Sequence, residues 1–209
     1  LPLADDIARQ LRSLHEVKRA DVAGSIRRRK ETVRDIDVLV VSHQPKKVMD
    51  FFTSLPEVQT VLAKGGTKSS VVLKAGINAD LRIVEEKSYG AALNYFTGSK
   101  DHNVRLRQIA IKQGYKLSEY GLFNDKTNRY ICGKTEEELY KKLGAVYIEP
   151  ELRENTGEIE LAMNNKLPKI VPYGAIKGDL HMHTTWTDGI HSTEAMIEAA
   201  IKLGYAYIV

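Results

Sequence analysis

The sequence predicts an α+β protein followed by the opening of a second, α/β unit. Three observations carry this. Between residues 58 and 85, runs of β-branched residues are separated by glycine turns and not by helices, as in an antiparallel meander. Apolar residues recur at helical spacing on both sides of that region. At about Asn164 the periodicity stops: "NNKLPKIVPYGAIKG" holds two prolines and two glycines, and a strand–helix–strand pattern follows it.

Leu3, Ile7, Leu11 and Leu14 predict an opening helix to about Val17. "ADVAGS" is a short strand ending in a Gly-Ser turn, and "DIDVLVV" is a second strand. Pro45 starts a helix over "KKVMDFFTSL". Three strands follow with turns at Gly65-Gly66 and Gly76. "SYGAALNYFTGS" and "HNVRLRQIAIKQG" are helices joined near Gly98, the second stopped by Gly114. Thr135 caps a short helix over "TEEELYKKLG" that Gly144 ends. Beyond the linker come a strand around "GDLHMHT", a helix over "STEAMIEAAIKLG" and a strand at "YAYIV".

The 209 residues are 43% hydrophobic, enough for a substantial core, so a disordered chain is excluded. The net charge of +4 is uneven: residues 1–169 carry 29 Lys/Arg against 23 Asp/Glu, and residues 170–209 carry two against four. The basic part is the candidate partner of a polyanion. Cys132 is the only cysteine, so no intrachain disulfide forms; a reducing, cytoplasmic setting and a packed role for this thiol are expected. No apolar run approaches the ~20 residues that span a bilayer, and no signal peptide is read. The chain opens inside an amphipathic pattern and stops in an apolar run, which reads as a fragment of a longer protein.

The chemistry starts at "GSIRRRKETVRDIDVLVVS". In a strand, residues i and i+2 share a face, so Asp35 and Asp37 project side by side. Paired carboxylates repel unless a cation lies between them, and oxygen ligands select hard ions such as Mg²⁺ or Mn²⁺. D-x-D alone is equally compatible with solvated acids or ion pairs to the adjacent arginines. The surroundings favour the metal. Gly24-Ser25 stands at a strand-to-helix turn that offers backbone N–H groups to phosphate. Arg27, Arg28, Arg29 and Lys30 add charge suited to phosphate. Asp80 is a third acid, inside the apolar strand "INADLRIVE", where an unpaired carboxylate would cost several kcal/mol. Three such acids can hold two metals.

"GSIRRRKETVRDIDVLVV", "ADLRIV" and "YFTGS" together resemble family X DNA polymerases, from about Leu3 to Asn164. The resemblance implies a nucleotidyltransferase palm over residues 1–88, a mixed/antiparallel sheet with helices on one face, and a small α/β thumb over residues 89–163. It implies template-directed nucleotidyl transfer from a dNTP to a primer 3′-hydroxyl on gapped or primer-template DNA, with two Mg²⁺ or Mn²⁺ ions in gap-filling repair. Asp35 and Asp37 would bridge both metals, and Asp80 would bind the catalytic one. Gly24, Ser25 and Arg28 would hold the triphosphate. Tyr95, Phe96 and Gly98 would lie under the sugar and base, Asn103 at the base edge and Arg107 on the template strand. Lys64, Thr67 and Lys68 would contact the DNA backbone. The family's glycine before the first Asp is Arg34 here, whose side chain would take over a phosphate contact, and an expected arginine is Asn78. Arg82, on the face of Asp80, is expected to pair with a carboxylate when metal is absent. A monomer of the bacterial cytoplasm, nucleoid-associated, is expected. Read from the residues alone, Tyr95 and Phe96 also fit as core aromatics, and Arg105, Arg107 and Lys112 as a solvated helix face.

After a linker over residues 164–178, "GDLHMHTTWTDG" places His181 and His183 at i, i+2 with Asp188 beyond. Imidazoles suit Zn²⁺ or Mn²⁺, but two histidines on a surface strand are equally ordinary. In this context residues 179–209 resemble the start of a PHP-type barrel, a metal-dependent phosphoesterase and 3′–5′ exonuclease whose remaining ligands would come from later strands. An amidohydrolase-type hydrolase competes for this segment. For the whole chain, another nucleotidyltransferase of the same fold and a non-catalytic DNA-binding module are the alternatives. The family's N-terminal helix-hairpin-helix region is absent from this sequence, so weak and strongly salt-dependent DNA affinity is expected.

Overall fold

The computed structural model describes residues 2–172 and 174–209; Tyr173, in the predicted linker, and Leu1 lie outside it. The chain divides into two compact units, Leu1–Leu167 and Pro168–Val209.

The first unit opens with α1 (Pro2–Arg12) and β1 (Val17–Val22). The helix is shorter than its apolar spacing predicts. The chain turns at Ser13, whose hydroxyl donates to the Gln10 carbonyl, and Val17 already belongs to the strand. A single helical turn, α2 (Gly24–Arg27), leads to β2 (Asp35–Ser42), then α3 (Pro45–Thr53) with Pro45 in its first turn. The meander is β3 (Val58–Lys64), β4 (Lys68–Leu73) and β5 (Asn78–Val84). The five strands form a mixed sheet in the order β1-β2-β5-β4-β3, parallel only between β2 and β5.

Alternation decides what each face of this sheet does. Ile36, Val38, Val40, Ala79, Leu81 and Ile83 point into a core closed by Ile7 and Leu11 of α1 and by Val48, Met49 and Phe52 of α3. Truncating any one of the larger side chains to Ala would cost about 2–5 kcal/mol. The residues between them, Asp35, Asp37, Asp80 and Arg82, fall on the opposite face and stay partly open. That face is covered only toward the end of β2, where Leu39 and Val41 meet Tyr89, Ala92 and Leu93 of α4 (Tyr89–Thr97).

The α4 helix leads into α5 (Lys100–Lys112) through Gly98, whose φ of 73° suits glycine, and Ser99 caps α5 by accepting from the His102 N–H. A three-stranded sheet follows, β6 (Tyr115–Ser118), β7 (Gly121–Asn124) and β8 (Tyr130–Cys132), then α6 (Glu136–Lys142) and α7 (Glu158–Met163). Thr135 caps α6 as its sequence predicts. Gly90 lets α4 approach this region: a Cβ there would lie 2.2 Å from the Thr135 carbonyl carbon. Leu106, Ile109, Leu122, Leu139, Tyr140, Leu143 and Ile159 form a separate core.

The second unit pairs β9 (Gly178–Asp179) in parallel with β10 (Tyr207–Ile208), and α8 (Thr193–Lys202) runs between them, capped by Ser192. The first strand is shorter than the apolar pattern predicts, so His181 and His183 lie just beyond it. Trp186 is 91% exposed. Among the described residues, no helix is long and apolar enough to cross a membrane.

Candidate nucleotidyl-transfer site

Parallel pairing of β2 with β5 puts Asp37 directly opposite Asp80, and the two-residue strand period places Asp35 on the same face. Asp37 takes the strain of this crowding. Burial, then the charges of Asp35 and Asp80, push its carboxyl up to about 6, well above the ordinary carboxylate value. Burial also pushes Asp80 up, but the Lys68 ammonium and the Ser70 hydroxyl outweigh it and hold Asp80 below its ordinary value. Lys68 Nζ lies 2.8 Å from Asp80 Oδ2. Among the described residues no three acidic, imidazole or thiolate groups close into a ready-made metal cage.

Gly24 abuts the acids from below the turn. Its φ is 63°, and a Cβ there would come within 2.4 Å of Asp37 Oδ2. The Ala23 N–H donates to the Asp37 carbonyl at 2.8 Å, which ties the turn to the strand. Gly24, Ser25, Arg28, Asp35, Asp37, Tyr95, Phe96, Gly98, Asn103 and Arg107 line one cleft of about 360 Å³, with Thr97 and Lys100 completing the wall. Tyr95 and Phe96 meet edge to face at 5.1 Å, and the Asn103 amide donates to the Tyr95 carbonyl at 2.7 Å. The Arg28 guanidinium donates to the Thr97 carbonyl and, at 2.9 Å, to Glu154.

Several predicted site residues lie elsewhere. Arg34 is exposed and does not line the cleft. Lys64, Thr67 and Lys68 flank the β3–β4 turn; Lys64 pairs with Asp50 at 2.5 Å, and the Thr67 carbonyl accepts from the Ile83 N–H. Arg82 corrects an expectation: it stacks on the Phe96 ring, 4.4 Å from the centroid, and Lys68 takes the carboxylate pairing expected of it. Lysine wins because antiparallel pairing sets Lys68 across from Arg82, on the acid-bearing face next to Asp80.

Arg27, expected to offer its charge to phosphate, is instead taken up by Glu136, and the groups that hold the Gly24-Ser25 turn were not foreseen. Arg27 donates through both terminal nitrogens to both Glu136 oxygens, at 2.9 and 2.6 Å, and to the Thr97 hydroxyl at 2.7 Å. The fully buried Arg153 reaches the same carboxylate at 2.6 Å and the Ile148 carbonyl at 2.9 Å. Burial raises the cost of ionising Glu136, but its two arginines hold it below its ordinary value. Nearby, His102 is buried with its ring nitrogens 2.7 Å from Glu158 and 2.9 Å from the Tyr140 hydroxyl.

In the second unit, His183 Nδ1 lies 2.5 Å from Asp188 Oδ1, and the Nε2 atoms of His181 and His183 are 2.9 Å apart.

A mixed sheet bearing three acids on adjacent parallel strands, with a helical lobe walling a cleft beside them, defines the palm and thumb of a nucleotidyltransferase. The comparisons agree. The DNA polymerase beta thumb model matches residues 92–154. The chain is 39% identical to DNA polymerase/3′-5′ exonuclease PolX of Bacillus subtilis across 100% of its own length and 36% of that protein's. It is 33% identical to a repair DNA polymerase X of African swine fever virus, covering 62% of this chain and 78% of the viral protein. Polymerase beta of Leishmania infantum, solved as a ternary gap complex, superposes with a TM-score of 0.63 at 22% identity, over 73% of this chain and 68% of that one. The chain belongs to family X of the DNA polymerases. It spans about a third of the length of the Bacillus relative.

Proposed function

We propose that the chain is the catalytic core of a gap-filling, template-directed DNA polymerase, with residues 1–88 as palm and 89–163 as thumb. The observation that carries this reading is the register match of Asp37 with Asp80, with Asp35 alongside, next to the cleft at Gly24-Ser25. The donor set fits hard divalent ions: three carboxylates share one face, and burial, then the charges of Asp35 and Asp80, still push Asp37 toward protonation despite the nearby Arg82 and Lys68. Two Mg²⁺ or Mn²⁺ ions held by Asp35, Asp37 and Asp80 would lower the pKa of a primer 3′-hydroxyl and neutralise a triphosphate.

The chain's own residues do the rest. The Gly24-Ser25 turn and the Arg28 fork hold the β- and γ-phosphates, Arg28 exchanging its Glu154 contact for phosphate. Tyr95, Phe96 and Gly98 form the floor under sugar and base, and Asn103 meets the base edge. Arg107 positions the template strand, and Lys64, Thr67 and Lys68 the DNA backbone. The 3′-hydroxyl attacks the α-phosphorus and pyrophosphate leaves. Gap filling on a one-nucleotide-gapped duplex tests this. Asp80→Ala should lower the rate by about a thousandfold or more; equal rates, or extension without template, would refute it.

After a linker over residues 164–178, residues 179–209 begin a PHP-type domain in which His181, His183 and Asp188 contribute to a Zn²⁺ or Mn²⁺ site completed by later strands. The facing Nε2 atoms of the two histidines and the exonuclease named in the Bacillus relative support this. A cytoplasmic monomer acting on DNA and dNTP completes the reading.

A further inference from the structure

We propose that Lys68 is the resident counter-ion of Asp80, and that capture of Lys68 by a DNA phosphate frees Asp80 to receive a divalent cation. This rests on Asp80 being a metal ligand, the reading given above.

The geometry is specific. Ser70 faces Asp80 across the β4–β5 pair and Lys68 faces Arg82, so Lys68 lies one diagonal step from the acid. Its ammonium sits 2.8 Å from Asp80 Oδ2. Arg82, a second cation on this face, is turned onto the Phe96 ring. Lys64, at the other side of the turn, is engaged by Asp50. Lys68 is half exposed, with 42% of its side chain open, so its ammonium stands between the acid face and solvent.

An ammonium 2.8 Å from Asp80 Oδ2 competes with a divalent cation for the same carboxylate, because the two positive charges repel. Lysine suits an exchange of partners, because its charge is compact and its four-carbon stem swings freely. A phosphate arriving beside the β3–β4 turn offers the ammonium an equivalent anion. Exposed ion pairs of this kind are weak, so the exchange is close to balanced and one phosphate contact can tip it. By linkage, DNA must tighten metal binding by the same factor as metal tightens DNA. Without DNA the site therefore holds a divalent cation less tightly.

Mn²⁺ titration without nucleotide, followed by the electron paramagnetic resonance of free Mn²⁺, tests this. The proteins are wild type, Lys68→Met and Asp80→Asn, each with and without a gapped duplex whose own Mn²⁺ uptake is subtracted. Lys68→Met should bind Mn²⁺ roughly two- to fivefold tighter than wild type without DNA. The duplex should tighten wild type by a comparable factor and Lys68→Met far less. Superimposable titrations of wild type and Lys68→Met, or equal tightening of both by DNA, would overturn the proposal. If Asp80→Asn weakens Mn²⁺ binding while Lys68→Met changes nothing, only the counter-ion role falls; if Asp80→Asn also changes nothing, the metal-ligand reading falls with it.

Discussion

Arg27 and Glu136 meet as a two-pronged ion pair, at 2.9 and 2.6 Å, across 109 residues of sequence. Arg27 is on the turn that carries Ser25 and Arg28, and Glu136 opens α6. Arg153 supplies the second cation to the same carboxylate, and its neighbour Glu154 reaches back to Arg28. The Gly24-Ser25 turn is thus anchored in the helical lobe that follows the sheet.

Glu136→Gln tests the anchor. It keeps the shape but leaves two arginines without their counter-charge, so unfolding free energy should fall by about 3–5 kcal/mol. Urea unfolding followed by far-ultraviolet circular dichroism measures it. A loss below about 1 kcal/mol would show that water replaces the carboxylate at no cost.

Gly24→Ala should be harmful beyond its size. The left-handed backbone and the 2.4 Å approach to Asp37 Oδ2 both oppose a methyl group. A stability loss of about 1–2 kcal/mol is expected from the backbone alone. Displacement of Asp37 should add a lower kcat in primer extension, with DNA affinity in gel shifts unchanged.

Asp37 should make the metal-free protein less stable as pH rises. Its folded value, about 6, stands above the unfolded 3.8, so the folded state holds the proton more tightly between them. Stability is therefore greatest below about 4 for this group and is lost by pH 6. Asp37→Asn should remove this slope and raise stability at pH 7 by about 1–2 kcal/mol. Chemical denaturation in chelator at pH 5 and 7 reads the difference.

His102 slopes the other way. Burial lowers its folded value below the unfolded 6.5, despite the Glu158 contact, so the unfolded state takes up the proton first as pH falls. Its contribution is intact above 6.5 and erodes below. His102→Gln should flatten the decline in denaturation midpoint between pH 6.5 and 5, an interval in which Asp37 acts with opposite sign; the double variant with Asp37→Asn separates them.

Much of the palm was legible in residue patterns. Strand alternation around "DIDVLVV" and "ADLRIV" assigned faces because a period of two leaves no other choice once one face is buried. Helix bounds followed caps and breakers, as at Pro45 and Thr135. The sheet of β6–β8 escaped notice: its strands are three or four residues long, too short to show periodicity. The ion pairs escaped for another reason. Arg27 with Glu136, and Lys68 with Asp80, become neighbours only through packing and register, which charge spacing does not encode. His181 and His183 were expected on a strand, and their pairing survives without one.

Trp186 is the chain's one tryptophan, and it is already bathed in solvent. An indole in that state has little left to gain when the chain denatures, so its emission should stay nearly still while the first unit melts. Intrinsic fluorescence would then report a protein that never unfolds; amide or tyrosine signals would tell the truth.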